Sequence, residues 1–304
     1  MSKHLKKFSD TLPKTTLKFQ LHKYLSTFDP HRGTDTIHAS ELTKEGGLCP
    51  RFYAINSQLE GALPERSTST SENATWDIGR LWQDRLVNHL SDIGIGISNW
   101  VCANHNCGLM YYHGRRPQEC VQCGCTAFEP REPRFTSAKT GASCGTDTLV
   151  LFPSEDLWEI VEIKTIDGEV FKKLAAPLAE HRLRTNFYLR IVAESADPVA
   201  KNINTKKARI LYTSKGGFGV KDDEVKGWGL GEFFSPFKEF EVTRDDKATN
   251  DMARRSRIAL EYSHGKIGMP YGVCATMFDD RAKACPLAKT CFSGQFPPSH
   301  EWQP

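Results

Sequence analysis

The chain has 304 residues, 40 Lys and Arg against 37 Asp and Glu, and a formal charge of +3, with length enough for one large core plus an insertion. A balance so near neutral excludes polyanion binding by net charge alone, so any such footprint must come from local clusters. No run is apolar for long enough to span a membrane, and Met1-Ser2-Lys3-His4-Leu5-Lys6-Lys7 leads into no secretory signal, so the ten cysteines are expected in a reducing cytosol, where clustered thiols point to metal.

Residues 1–40 are polar and weakly periodic and read as an N-terminal arm. Residues 41–98 open the core, with Cys49 in Gly46-Gly47-Leu48-Cys49-Pro50-Arg51-Phe52-Tyr53, a loop over Leu63–Glu72 and a helix from Thr75 to about Ser91. Residues 99–130 carry two cysteine pairs, Cys102/Cys107 and Cys120/Cys123, separated by twelve residues. Cys107-Gly108 and Cys123-Gly124 are what a zinc knuckle needs, because its turn must aim thiolates and backbone amides at one ion. The pattern points to a structural zinc ribbon with Cys102, Cys107, Cys120 and Cys123 as ligands and with Cys125 and His105 as substitutes. So small a segment would draw its folding energy from the metal. Tyr111, Tyr112, His113, Arg115 and Arg116 between the pairs suit nucleic-acid or partner contact, or a solvated hairpin tip.

Residues 131–270 hold the core of the pattern. Gly145–Phe152 and Trp158–Thr165 are rich in β-branched and aromatic residues, and Pro153-Ser154-Glu155-Asp156 between them is turn chemistry, so two adjacent strands are predicted. A period of two sets Glu162 and Lys164 on one face and Val161 and Ile163 on the other. If Asp147 faces the same side as Glu162, two carboxylates and an ammonium share one pocket, a set suited to Mg2+ or Mn2+ and to hydrolysis. The bland counterpart is a solvated Glu-x-Lys pair on an edge strand.

Helical spacing then runs from Phe171 to Ala196 despite Pro177, Lys207–Thr213 and Phe237–Thr243 read as strands, and Lys247–His264 as a helix. Strand, helix and strand in that order imply a crossover in a mixed sheet, so the fold class is α/β with helices flanking a central mixed sheet. Basic clusters lie at Lys172-Lys173 with His181-Arg182-x-Arg184, at Lys206-Lys207-x-Arg209 and at Arg254-Arg255-x-Arg257. The tail, residues 271–304, holds Cys274, Cys285 and Cys291, while Cys144 has no partner by spacing and reads as core.

Gly145-x-Asp147 followed by Glu162-Ile163-Lys164 resembles the PD-(D/E)XK nuclease motif in the form found in RecB-like exonuclease domains. The resemblance implies a restriction-endonuclease-like core in which Asp147 and Glu162 bind Mg2+ or Mn2+, the carbonyl of Ile163 adds a ligand and Lys164 is catalytic. Gln83, four residues after Gly79, stands where many relatives have a metal-binding His. Arg184 stands where they have the Gln of Gln-x-x-x-Tyr, which would set Arg184 and Tyr188, with Lys172 and Lys173, against a DNA phosphate. Cys49, Cys274, Cys285 and Cys291 resemble the 4Fe-4S staple of RecB-like and CRISPR-associated exonucleases, while a second zinc site or simply buried thiols remain open for them.

The implied activity is hydrolysis of DNA, most simply as an exonuclease on single strands or ends, in recombination, repair, phage replication or CRISPR adaptation. The cell would be bacterial, archaeal or phage-infected. No Walker motif is present, so unwinding would fall to a helicase or recombination partner, and a homo-oligomer is compatible. The alternatives are a non-catalytic DNA-binding or assembly subunit that keeps the fold, and an RNA-directed enzyme.

Overall fold

The structure is a computed structural model that describes residues 37–43, 47–58, 70–215 and 237–294. Residues 1–36 of the expected arm, and 63–69 of the expected loop, lie outside them. In chain order the elements are β1 (Ile37–His38), α1 (Ala39–Leu42), α2 (Pro50–Gln58), α3 (Thr70–Asp92), β2 (Gly96–Cys102), β3 (Met110–Gly114), β4 (Phe128–Arg131), β5 (Arg134–Ser137), β6 (Ala142–Gly145), β7 (Thr148–Val150) and β8 (Trp158–Ile166). There follow α4 (Gly168–Lys173), α5 (Ala179–Glu194), a 3-10 turn (Pro198–Asn202), β9 (Ile203–Ser214), β10 (Phe237–Thr243), α6 (Asp246–Ser263), α7 (Asp280–Lys283) and α8 (Ala288–Phe292). They fall into two compact units, one from Ile37–Gly47 and Leu81–Arg254, the other from the described parts of Leu48–Arg80 and Arg255–Pro304.

The first unit is a mixed α/β fold. Its seven-stranded sheet runs β10-β9-β8-β7-β2-β3, with β4 also on β2, and a three-stranded sheet runs β1-β6-β5. The β8–β9 pair is parallel, and β7–β8 and β9–β10 are antiparallel. The alternation expected of β8 is realised as two cores. On one face Val161 and Ile163 pack with Trp100, Val150, Leu86 and Val87. On the other, Ile166 packs with Ile210, Tyr212, Phe171, Leu174 and Val242, and this is the face of Glu162 and Lys164, which lie in register with Ile210 and Tyr212.

Two expected elements are divided. The continuous strand Gly145–Phe152 becomes β6 in the small sheet and β7 in the large one, because the chain changes sheets at Thr146 and Asp147. Thr146 fixes the crossing by donating from its amide to the Pro133 carbonyl at 2.9 Å. The long helix from Phe171 becomes α4 and α5, since Pro177 can donate no amide hydrogen and disfavours helix at the residue before it. The Asp167 carboxylate caps α4 by accepting from the amides of Glu169 and Val170. At the start of α5 the free amide of Leu178 donates instead to the Tyr212 hydroxyl at 3.1 Å. The helix over Thr75–Ser91 is longer than its pattern, beginning at Thr70.

Trp100 is fully buried at the middle of β2, and its indole Nε1 donates to the Gly114 carbonyl at 3.0 Å. Trp100→Ala should therefore lower stability by about 3–5 kcal/mol, read as a shift in the chemical-denaturation midpoint at unchanged slope. A loss under about 1 kcal/mol would mean that this core is not formed as described.

Candidate active site and cysteine centres

Because the chain crosses between sheets at Asp147, that side chain turns toward β8 rather than following a strand alternation. Its Oδ2 accepts from the Ile163 amide at 2.5 Å. Lys164 Nζ lies 2.5 Å from Glu162 Oε1 and 3.9 Å from Asp147 Oδ2, and it donates to the Ile163 carbonyl at 3.3 Å. Asp147 and Glu162 are buried, at 8% and 2% exposure, and Glu162 Oε2 has no hydrogen-bond partner among the described residues. Two buried carboxylates thus share one ammonium.

The charge imbalance is felt by Asp147 and Lys164. Burial, then the Glu162 carboxylate, hold the Asp147 carboxyl well above the usual carboxylate range. Burial alone would lower Lys164, but Glu162 and Asp147 outweigh it and hold its ammonium charged. Glu159 on the same strand is a useful contrast. It is buried too, yet it faces two cations, Lys207 at 2.9 Å and Arg209 at 2.6 Å, which overcome the effect of burial and hold its carboxyl below the ordinary range. The basic run Lys206–Arg209 is therefore spent in part on an internal ion-pair network.

Helix α5 brings His181, Arg184 and Tyr188 to the site on one face, at i, i+3 and i+7. Arg184 Nε donates to Thr43 Oγ1 at 3.2 Å, and its guanidinium pairs with Glu180. The Tyr188 phenol is buried and raised well above its ordinary range, by burial first and by Glu162 and Asp147 next. His181 Nδ1 lies 2.9 Å from the Tyr212 hydroxyl, and burial, Lys164 and Arg184 push its imidazole down to about 4, so it is neutral at pH 7.

Gln83 is half-buried on α3, whose Leu86 and Val87 pack on the Val161 and Ile163 face of β8, and no hydrogen bond among the described residues joins it to Asp147 or Glu162. Lys172 pairs with Glu169 at 2.9 Å, and Lys173 is exposed in the last turn of α4. Thr43 and Tyr212 left no signal in the sequence. The helical spacing of His181 to Arg184 and Tyr188 was a signal, although His181 read only as part of a basic cluster.

In the same unit, β2, β3 and β4 carry the first cysteine set. Cys102, Cys107, Cys120 and Cys123 bring their Sγ atoms within 4.8 Å of one another, with Cys102–Cys123 at 3.5 Å and Cys107–Cys120 at 3.7 Å. Gly108 and Gly124 follow Cys107 and Cys123 at φ +58° and +70°, the left-handed turn of a knuckle. Burial would raise the Cys120 thiol, but the Tyr111 hydroxyl and the amides of Gln122 and Cys123 outweigh it and bring it down to about 6. Cys125 turns its Sγ to the Ala127 carbonyl at 3.6 Å, and His105 is exposed. Cys144 is buried, which pushes its thiol up.

The second unit holds the other set. Cys49, Cys274, Cys285 and Cys291 line one cavity of about 390 Å3 together with Phe52, Ile55 and Leu287. Their thiols are more widely spread than the first set, which alone among the described residues gathers within 4.8 Å. The Phe52 amide donates to Cys49 Sγ at 3.4 Å, and the buried Arg51 donates from Nε to Cys291 Sγ at 3.3 Å.

No protein-family model matches this sequence, and no curated protein matches it either. Among solved structures the chain is similar to an alkaline exonuclease, LHK-Exo, from Laribacter hongkongensis, at 10% identity over 81% of this chain and 93% of that one, with a TM-score of 0.40. It is similar also to LHK-Exo in complex with dAMP, at 11% identity over 81% and 93% of the two chains, with a TM-score of 0.39.

The raised Asp147 carboxyl makes a signed prediction. A carboxyl raised in the fold contributes stability that is fully present below its unfolded value of about 4 and is lost as pH rises through the folded value. With metal chelated, Asp147→Asn should therefore gain melting temperature over wild type increasingly from about pH 4 upward. A difference that stays flat with pH would remove the case for a strained carboxylate here.

Proposed function

We propose that this chain is a PD-(D/E)XK phosphodiesterase of the RecB-like kind, hydrolysing DNA with Mg2+ or Mn2+ and working as an exonuclease on single strands or ends. The observation that carries the reading is the buried pair Asp147 and Glu162 sharing Lys164, with Glu162 Oε2 left without a hydrogen-bond partner among the described residues. A buried, unpaired carboxylate oxygen is costly, and a hard divalent cation is the group that offsets it. When bound, such a cation supplies Lewis acidity and a water of lowered pKa.

This chain's own residues do the rest. Asp147 and Glu162 would hold the cation, with the Ile163 carbonyl, which now accepts from Lys164, as a further ligand. Lys164 then directs its ammonium at the attacking water or at charge developing on the phosphate. Arg184, steadied by Thr43 and Glu180, offers a planar fork for a phosphate oxygen, with the buried Tyr188 one turn further along the same helix face. Lys172 and Lys173 extend the positive surface along the strand's path.

The two cysteine sets serve different cofactors. A tetrahedral zinc with Zn–S near 2.3 Å needs sulfurs about 3.8 Å apart, close to the spacing of the Cys102 set, and Cys120 is already favoured as thiolate. The wider Cys49 set, with a cavity between its thiols and N–H groups aimed at two sulfurs, suits a 4Fe-4S cluster.

The deciding assay is digestion of end-labelled single- and double-stranded DNA with Mg2+ or Mn2+. Lys164→Ala should lower cleavage at least about 100-fold while binding persists. If wild type binds every substrate and cleaves none, the chain is a DNA-binding subunit on a nuclease-like fold. In parallel, metal analysis of anaerobically purified protein should find zinc that Cys120→Ser removes, and iron with a visible band that Cys285→Ser removes. Zinc lost from both variants would assign the second set to zinc instead.

A further inference from the structure

Tyr212 and Lys164 lie opposite each other across the parallel β8–β9 pair, so their side chains leave the sheet on the same side. Tyr212 is fully buried, and burial holds its phenol protonated. Its hydroxyl has two partners among the described residues, the Leu178 amide at 3.1 Å and His181 Nδ1 at 2.9 Å. The amide can only donate, so the one hydrogen of the hydroxyl has His181 Nδ1 as its acceptor. The opposite tautomer would aim two N–H groups at one oxygen and leave a buried O–H with no acceptor, which folded chains seldom tolerate.

Tyr212 thus fixes which nitrogen of His181 carries the hydrogen. Nδ1 accepts, and Nε2 carries an N–H that has no partner among the described residues. His181 is half-buried, and burial with Lys164 and Arg184 as its charged neighbours keeps its ring neutral at pH 7. A donor set among cations is a poor place for a further cation and a good one for an anion. Arg184, at i+3 on the same face, has its Nε on Thr43 Oγ1 and its Nη2 on Glu180, which leaves Nη1 uncommitted among the described residues. Helix α5 therefore presents two uncommitted donors, one neutral and one charged, within the field of the Lys164 ammonium.

We propose that His181 donates from Nε2 to a non-bridging oxygen of a DNA backbone phosphate beside Arg184, with Tyr212 as the positioning residue that sets the tautomer. The inference rests on the part of the proposed function that brings DNA to this face. Being uncharged, His181 supplies direction without displacing a counterion, whereas Arg184 supplies both direction and charge.

The test is binding of a fluorescent single-stranded oligodeoxynucleotide to the full chain over a series of salt concentrations, with Ca2+ replacing Mg2+ so that the strand stays intact. His181→Ala should weaken affinity about tenfold at every salt concentration and leave the salt slope unchanged. Arg184→Ala should weaken affinity and also make the slope shallower by about 0.7. His181→Gln, whose amide still offers an N–H, should recover most of the loss. Tyr212→Phe should reproduce much of the His181→Ala defect at a melting temperature that shows it folded. Nitrogen NMR of histidine-labelled protein, with the His181 signal assigned by its absence from His181→Gln, should place the hydrogen on Nε2 at pH 7. A hydrogen on Nδ1, or a Gln variant that binds as weakly as the Ala variant, would overturn the donor role. If His181→Ala binds like wild type, His181 is no part of the contact, and a loss confined to Arg184→Ala would still set DNA on this face. If wild type binds no DNA, the nucleic-acid reading fails and takes His181 with it, whereas binding without cleavage in Mg2+ or Mn2+ overturns the nuclease reading alone and leaves the phosphate contact standing.

Discussion

Asp147 and Glu162 are removed from water together, with the single ammonium of Lys164 between them, and the sheet unit is arranged around what that burial requires. Desolvating two carboxylates costs several kcal/mol unless each finds a counter-charge, and one lysine cannot serve both. Glu159, three residues earlier on β8, is as deeply buried and meets two cations. The fold therefore gives Glu159 two cations of its own, whereas Glu162 and Asp147 have one lysine between them. Glu162 shares its ammonium with Asp147, and its Oε2 has no hydrogen-bond partner among the described residues, the arrangement expected where a charge is to be supplied from outside.

The surroundings follow from the same need. Asp147 can meet Glu162 because the chain leaves one sheet and enters another at Thr146, so the carboxylate is set by a crossing rather than by strand alternation. The break at Pro177 lets α5 start where Leu178 and His181 both reach the Tyr212 hydroxyl, and that start brings Arg184 within the field of Lys164 and Tyr188 within that of Glu162 and Asp147. His181 sits among cations and is neutral, so it adds no charge to compete with a phosphate for Lys164 and Arg184.

The two cysteine sets show how spacing between thiols selects the guest. Short loops closed by left-handed glycines draw the sulfurs of Cys102, Cys107, Cys120 and Cys123 to the edge length of a mononuclear tetrahedron. Cys49 and the three tail cysteines come from distant parts of the chain and surround a cavity instead, which leaves room for a larger group. Cys274, separated from Cys285 by ten residues, joins its partners where Gly272 and its neighbours fold against Arg51.

Some of this was determined by the sequence alone. The period of two in Trp158–Ile166 assigned Glu162 and Lys164 to one face, and the Cys-Gly pairs identified the four thiols that converge, because both signals depend only on neighbours in the chain. The strand Phe237–Thr243 was legible for the same reason. Other features belong to the tertiary structure. The meeting of Asp147 with Glu162 is a matter of the crossing between two sheets, Thr43 and Tyr212 reach the site through sheet order, and Gln83 lies on a helix packed against the other face. The division of Gly145–Phe152 between two sheets could not be read from propensity, since both halves are good strand sequence. A local pattern fixes which way a side chain points from its own backbone, but which charges it meets there depends on contacts between segments far apart in the chain, and those are decided only when the sheets assemble.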